Sequence, residues 1–188
     1  MSLIIGFTGG PSAGKDTSAS HLVKNYGFTR LAFADPIREA VLALNPWIEQ
    51  DVRLSHVVNR EGWDTSKNKY PEVRRLLQIM GTEVGRDLHG QNVWIEKLLQ
   101  SIDAMPKHQR IAITDVRFQD EVDALRKRGA FIIRVSRTSA HSREVVMSHR
   151  SEVESAEISP NYFLPNNSSI EELHRRLDRL VSRKINKR

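Results

Sequence analysis

No cysteine occurs in this chain of 188 residues, which excludes disulfides and thiolate-bound metals and fits a reducing compartment. No apolar run approaches the roughly 20 residues of a membrane span, and no charged stretch leading into an apolar one with a cleavage site opens the sequence. The expectation is a soluble, unexported, cytoplasmic protein without a membrane partner. Internal repeats and low-complexity segments are absent, which excludes a solenoid or fibrous array. The seven histidines show no spacing typical of a metal pair.

Most of the chain also lacks net charge. Lys and Arg number 29 against 23 Asp and Glu, a net +6, yet 175–188 alone holds seven basic residues and one acidic, so the remainder balances at 22 against 22. A basic helix end is more often solvated or dipole-complementing than a polyanion site, and nucleic acid is not the expected partner. Core material is present in ordinary amount, with 39% hydrophobic and 28% charged residues, as in globular chains. The length predicts one compact domain with room for a small inserted lobe, as a monomer or homodimer.

The apolar run 3–7 meets a glycine cluster and then the helix-compatible stretch 17–26, predicting strand, loop and helix. A second strand is predicted at 28–33, stopped by Asp35 and Pro36, with Pro36 in the first turn of a helix to about 44. The polar segment 45–69 predicts short helices and a mobile loop. Val73, Leu76, Leu77, Met80, Val84 and Leu88 follow the period of one amphipathic helix over 71–88, and 92–102 predicts another. Strands are predicted at 111–114, 131–135 and 162–164, with helices at 118–128, closed by Gly129, and from 168 into the basic tail. Strands alternating with helices imply an α/β fold, a doubly wound parallel sheet covered on both faces.

Gly9-Gly10-Pro11-Ser12-Ala13-Gly14-Lys15 matches the G-x-x-x-x-G-K core of a P-loop between a predicted strand and helix. Gly10, Ser12, Ala13 and Gly14 would turn backbone N–H groups towards the phosphates of ATP, and Lys15 would add a cation at the β and γ phosphates. The usual Ser or Thr after the lysine is replaced by Asp16, with Thr17 one place later. Asp16 would hold Mg²⁺ directly or through water, while Thr17 turns towards a phosphate; the sequence leaves the choice open.

P-loop chains include switches, motors and small-molecule kinases. A guanine-specific switch needs Asn-Lys-x-Asp, and Asn68-Lys69-Tyr70-Pro71 fails at its aspartate. A motor sets an Asp-Glu pair after four apolar residues, whereas Ile111-Ala112-Ile113-Thr114-Asp115-Val116-Arg117 puts an arginine near its carboxylate. That arginine suits a phosphate-bearing substrate better than an activated water.

The sequence resembles the phage-type deoxynucleoside monophosphate kinases, a branch of the adenylate-kinase-like P-loop kinases. The resemblance covers most of the chain. It rests on Gly14-Lys15-Asp16-Thr17, Phe33-Ala34-Asp35-Pro36, Leu76-Leu77-Gln78-Ile79-Met80-Gly81-Thr82-Glu83 with Arg86, Trp94, Asp115-Val116-Arg117-Phe118 and His149-Arg150-Ser151-Glu152. It implies transfer of the ATP γ-phosphate to a deoxynucleoside 5′-monophosphate, giving ADP and the diphosphate, with Mg²⁺. It also implies that Asp16 after the lysine is habitual in the family. Dephospho-coenzyme A and phosphomevalonate kinases share parts of the pattern, and a nucleotide-gated nucleic-acid-binding protein is the non-enzyme rival.

Asp35 ends a strand where ligands bind in open α/β sheets, or caps the helix that Pro36 starts; Arg38, one turn on, reaches an acceptor phosphate or is solvated. Arg75, Thr82 and Arg86 fall on one helical stripe opposite the apolar face, a solvated face on structural grounds; the resemblance places Arg86 in the acceptor site, with Arg75 a further candidate. Gly81 inside this helix predicts a kink or close backbone approach. Trp94 is core or a base-stacking platform. Asp115 positions Mg²⁺ through water or holds the acceptor, and Arg117 binds its phosphate, unless the two form a structural ion pair. The family keeps its lid in the polar stretch that here carries Arg137, Arg143 and Arg150, with Arg137 and Arg143 the candidates to neutralise the transferring group. Asn166, with Asn167, contacts the adenine or caps the last helix. The expected architecture is a P-loop fold with a five-stranded sheet ordered 2-3-1-4-5, its core at 1–34, 106–136 and 152–188, a helical acceptor-binding insertion at 35–105 and a lid at 137–151.

Overall fold

Every residue of β1 (Ile4–Thr8) is buried, the environment of a central strand covered on both faces. In this computed structural model, which describes residues 3–137 and 150–185, two parallel neighbours flank it. These are β5 (Arg110–Ile113), with Ile5 opposite Ala112, and β6 (Phe131–Ser136), with Gly6 opposite Ile132. Outside them run β2 (Phe28–Leu31) beside β5 and β7 (Tyr162–Pro165) beside β6, both parallel. The order β2-β5-β1-β6-β7 is the expected 2-3-1-4-5 when the strands of this sheet alone are numbered along the chain.

Side chains alternate between the two faces of the sheet. Ile5, Phe7, Ala112 and Ile133 pack with Leu22 of α1 (Lys15–Tyr26) and Leu173 and Leu177 of α8 (Ile170–Ile185) in one core. On the opposite face a Cβ at Gly6 would touch Ile132, Val116 and Leu125, the last from α6 (Gln119–Lys127). The polar stretch after β6 holds a further helix, α7 (Arg150–Glu157), so Arg150 and Ser151, assigned to the lid's end, open a helix. Arg134 of β6 donates to the carbonyls of Ser155 and Ile158 at 2.8 and 2.6 Å, tying that helix to the sheet. Among the described residues no helix is long and apolar enough to cross a membrane.

Two contact units divide the chain, Met1–Ala32 with Ile102–Arg188, which holds the sheet, and Phe33–Ser101. The second contains α2 (Ala34–Leu44), a hairpin of β3 (Trp47–Glu49) and β4 (Val52–Arg53), α3 (Leu54–Lys69), α4 (Pro71–Ile79), a π-helix (Met80–Leu88) and most of α5 (Val93–Asp103). The expectation of short helices and a mobile loop at 45–69 is corrected here. Asn45 receives the Ser55 N–H on its side chain at 2.9 Å and Arg53 on its carbonyl at 3.0 Å, while the Arg53 guanidinium lies 3.7 Å from the Trp47 ring centroid. These contacts between different elements have no periodic signature. Helix α3 kinks at Gly62, whose carbonyl accepts the Ser66 hydroxyl at 2.7 Å. Val41, Ile48, Leu54, Val57, Tyr70 and Val73 form the core of this unit.

A polar cluster joins α1 to α8 in the first unit. The Asp178 carboxylate takes His21 Nε2 at 2.6 Å and the Tyr26 hydroxyl at 2.8 Å, and the His21 ring stacks on His174 with centroids 4.0 Å apart. Asn25 places its amide nitrogen 3.1 Å from His21 Nδ1, which makes Nδ1 the acceptor and Nε2 the donor to Asp178. His174 Nε2 is buried without a hydrogen-bond partner. Burial, and then the neighbouring His21, hold His174 below the usual imidazole value of 6.5, against the smaller upward pull of Asp178 and Glu171. Burial pulls Asp178 upward, but its bonds from His21 and Tyr26 outweigh that and leave it lowered.

A histidine lowered on folding binds fewer protons in the native than in the unfolded state, so its contribution is whole above pH 6.5 and is lost as pH falls from there through the lower folded-state value. The melting temperature is expected to drop by a few degrees between pH 7.5 and 5.5. In His174→Leu, which keeps an apolar stack on His21, that drop should flatten. Calorimetric scans across the range check it; an unchanged slope in the variant would remove His174 as the cause.

Candidate active site

The chain leaves β1 at Thr8 and re-enters regular structure at Lys15, the first residue of α1. Between them Gly9, Ser12 and Gly14 take φ values of 129°, 55° and 106°, the positive values that fold successive N–H groups into an anion-binding concavity. Gly14 is required twice over: its φ suits glycine, and a Cβ there would lie 2.5 Å from Asn166 Nδ2. Among the described residues no side chain caps α1, and the N-terminus of a helix carries the partial positive charge that favours anions. Lys15 Nζ donates to the carbonyls of Gly9 and Gly10 at 2.8 and 2.7 Å. Asp16 is exposed and Thr17 half-buried. Asp16 lines a pocket of about 260 Å³ with Ser20, Val23, Lys24, Arg30 and Thr114.

Further groups of this unit reach the same carboxyl edge of the sheet. Beyond β5, Thr114 N–H donates to Leu31 O at 3.2 Å and Val116 N–H to Phe7 O at 3.0 Å, which straps Asp115 beside the loop strand. Asp115 is half-buried and Arg117 exposed. The buried Glu121 carboxylate accepts the N–H groups of Arg117 and Phe118 at 2.8 and 3.1 Å, so the Asp115–Arg117 turn is held by the first turn of α6. Arg137 is exposed immediately after β6. Asn166, between β7 and α8, donates from Nδ2 to Ala13 O at 2.8 Å. Arg143 and His149 lie outside the described residues.

In the second unit Asp35 opens α2 with Arg38 at 3.5 Å, and the Arg38 guanidinium lies 5.7 Å from the Trp63 ring centroid. Arg75 makes a two-pronged pair with Glu72 at 2.6 and 2.5 Å on an exposed face. Helix α4 passes directly into the π-helix, so the second half of the expected single α-helix has i→i+5 spacing. The sequence expectation of one solvated stripe through Arg75, Thr82 and Arg86 is therefore corrected. Arg75 is exposed, whereas Arg86 is buried at 3% exposure with Nε 3.3 Å from Gln91 Oε1. Trp94 explains the wider turn. Its indole N–H donates to Gly81 O at 2.8 Å, and its ring lies where a Cβ on Gly85 would be. Arg86 is next to Gly85 in that turn. Gln91, Trp63 and the bond from Asn166 to the loop escaped sequence reasoning, since none belongs to a periodic pattern or short motif.

The sheet order and the loop between β1 and α1 define a P-loop protein of the nucleotide-binding class. Residues 55–177 match the family model for deoxynucleotide monophosphate kinase. The chain is 32% identical over 184 residues to a putative deoxynucleotide monophosphate kinase of Acanthamoeba polyphaga mimivirus, covering 92% of each chain. It is 44% identical over 54 residues to the deoxynucleoside-5′-monophosphate kinase of Escherichia phage T5, which is 29% of this chain and 21% of that protein. Among solved structures, TT1252 from Thermus thermophilus aligns over 97% of both chains with a TM-score of 0.49 and 19% identity. The chain belongs to the deoxynucleotide monophosphate kinase family and is a phosphotransferase acting on deoxynucleoside monophosphates.

The fit of Gly85 under Trp94 yields a stability prediction. Gly85→Ala forces the indole off the π-turn and is expected to cost about 1–3 kcal/mol, whereas Trp94→Phe keeps the ring and loses the bond to Gly81, costing about 1 kcal/mol. Urea unfolding of both variants checks this. A Gly85→Ala protein as stable as its parent would contradict the packing described.

Proposed function

We infer that the P-loop holds ATP, that Phe33–Ser101 supplies acceptor recognition, and that the γ-phosphoryl group passes directly to the acceptor's 5′-phosphate. The observation that carries this reading is the convergence of the loop, Asp115, Arg117 and Arg137 on one sheet edge. An acceptor phosphate oxygen forms the new bond to the γ-phosphorus as the bond to the β–γ bridging oxygen breaks, leaving ADP and the deoxynucleoside diphosphate. Such a transfer needs no protein nucleophile; it needs alignment and cations on the moving group.

The N–H groups of Gly10, Ser12, Ala13 and Gly14, with Lys15, would bind the β and γ phosphates. Among the described residues no group of three or more His, Cys, Asp or Glu side chains could hold a metal alone. An Asp16 carboxylate and a Thr17 hydroxyl in the first turn of α1 nevertheless fit Mg²⁺, which is normally bound by one or two protein oxygens together with substrate phosphates and waters. The ion would supply charge neutralisation of the phosphates. Arg137 and, on sequence grounds, Arg143 within the proposed lid 137–151 would screen the transferring group. In the second unit the buried Arg86 would bind the acceptor phosphate, with Arg38 beside Trp63 a further cation, and in the first unit Arg117 would bind a phosphate. Asp35, in the second unit, would contact the acceptor, and Asp115, in the first, would orient a substrate. Arg75 would first have to leave Glu72, and Trp94 would act by shaping the π-turn next to Arg86. Free nucleotides place this reaction in the cytoplasm, that of the host if the chain is phage-encoded.

The test is ADP release from Mg·ATP with each deoxynucleoside and ribonucleoside monophosphate offered separately. Turnover dependent on a deoxynucleotide is expected, and silence with all of them would overturn the acceptor assignment. Lys15→Ala should abolish turnover without changing the melting temperature; full activity in that variant would sink the loop's role. Arg86→Gln should raise KM for the acceptor at least tenfold while KM for ATP stays within twofold, and an equal rise in both would remove Arg86 from acceptor binding.

A further inference from the structure

Asn166 makes two bonds that meet at the phosphate loop. Its backbone N–H donates to Ser136 O at 2.7 Å, the last residue of β6 and the one before Arg137. Its side-chain Nδ2 donates to Ala13 O at 2.8 Å. Resting on the P-loop reading above, we propose that Asn166 is a positioning residue that locks the Ala13–Gly14 peptide so that the Gly14 N–H faces the donor phosphates.

The argument runs through peptide geometry. The two ends of a trans peptide point in opposite directions, so holding the Ala13 carbonyl towards Asn166 turns the Gly14 N–H the other way, into the concavity. The lock is needed because Gly14, at φ 106°, is the residue type for which rotation of that peptide costs least. The hydrogen bond supplies direction, and the close approach of Gly14 to Nδ2, where a Cβ would stand 2.5 Å away, supplies fit. The bond to Ala13 uses one of the two Nδ2 hydrogens, so a contact of the other with the adenine is separated from the lock by the competitor without a base. The backbone bond to Ser136 adds a second constraint, because it fixes the loop and the residue preceding Arg137 to the same side chain's backbone.

Asn166→Asp keeps the shape but sets a carboxylate oxygen against the Ala13 carbonyl, and Asn166→Ala removes the donor. Both are expected to weaken ADP at least tenfold by calorimetry and to raise KM for ATP similarly. Inorganic tripolyphosphate, a competitor without a base, should weaken by the same factor, while KM for the acceptor stays within twofold. ADP binding within twofold of wild type in both variants would overturn the proposal. Loss of ADP with unchanged tripolyphosphate would also overturn it, in favour of an adenine contact. Equal losses for acceptor and donor would show a general structural role instead. Wild-type protein that binds neither ADP nor tripolyphosphate would overturn the P-loop reading itself, a result distinguishable from failure of the variants alone.

Discussion

β1 is held from both sides, by Ile4, Ile5 and Gly6 in register with β5 and by Ile5 through Thr8 in register with β6. A strand clamped in this way cannot slide by a residue without turning its buried side chains to the wrong face. The loop after Thr8 therefore departs from a fixed point, and so do Asp115 after β5, Arg137 after β6 and Asn166 after β7. Because the strands are parallel, every one of these exits lies on the same edge. The candidate chemistry is a consequence of register: four loops leave one edge, the first carrying most of the groups, and none has to be placed by its own conformational preferences alone.

The second unit uses a different device. A π-turn is less favourable than an α-turn and persists only where something else holds it. Here Trp94 does so, its ring leaving no room for a Cβ at Gly85 and its N–H donating to Gly81. The widened turn carries Arg86 inward, where a guanidinium is costly to bury unless it is hydrogen-bonded. Gln91 supplies one such bond. A buried, oriented guanidinium in a turn that departs from helix geometry is a local departure from the best folding solution, the kind of compromise that accompanies binding sites.

The parallel sheet was legible in the sequence because its signals are local. Buried runs such as Ile4–Phe7 and Ile111–Ile113 cannot be amphipathic, and glycine and proline punctuate their ends. The P-loop was legible for the same reason, as a dense motif between two such elements. The hairpin and long kinked helix over 45–69 were not, since they depend on Asn45, Arg53 and Trp47 meeting across elements. Arg86 was misplaced by assuming a 100° step through residues that are π-helical. Asn166 stood out as a polar residue before a helix, but its partner Ala13 is 153 residues away, and nothing in a turn signature points to so distant a carbonyl.

Charge at the loop gives the last constraint. The positive end of α1 favours anions, and Asp16 already places a carboxylate in that first turn. Lys15 and Asp16 together contribute no net charge, unlike the lysine and hydroxyl of the usual motif. On the proposed reading, bound triphosphate would meet a site whose own balance at the loop is neutral, so attraction would come from oriented N–H groups, from Arg117 and Arg137, and from the charge of a divalent ion that Asp16 or Thr17 would hold. Oriented N–H groups act through being held in place before the ligand arrives, so each one turned away is a loss. A loop that relies on them has more to lose from one rotated peptide than a loop with surplus cationic charge, and this gives the small bond from Asn166 to Ala13 its leverage.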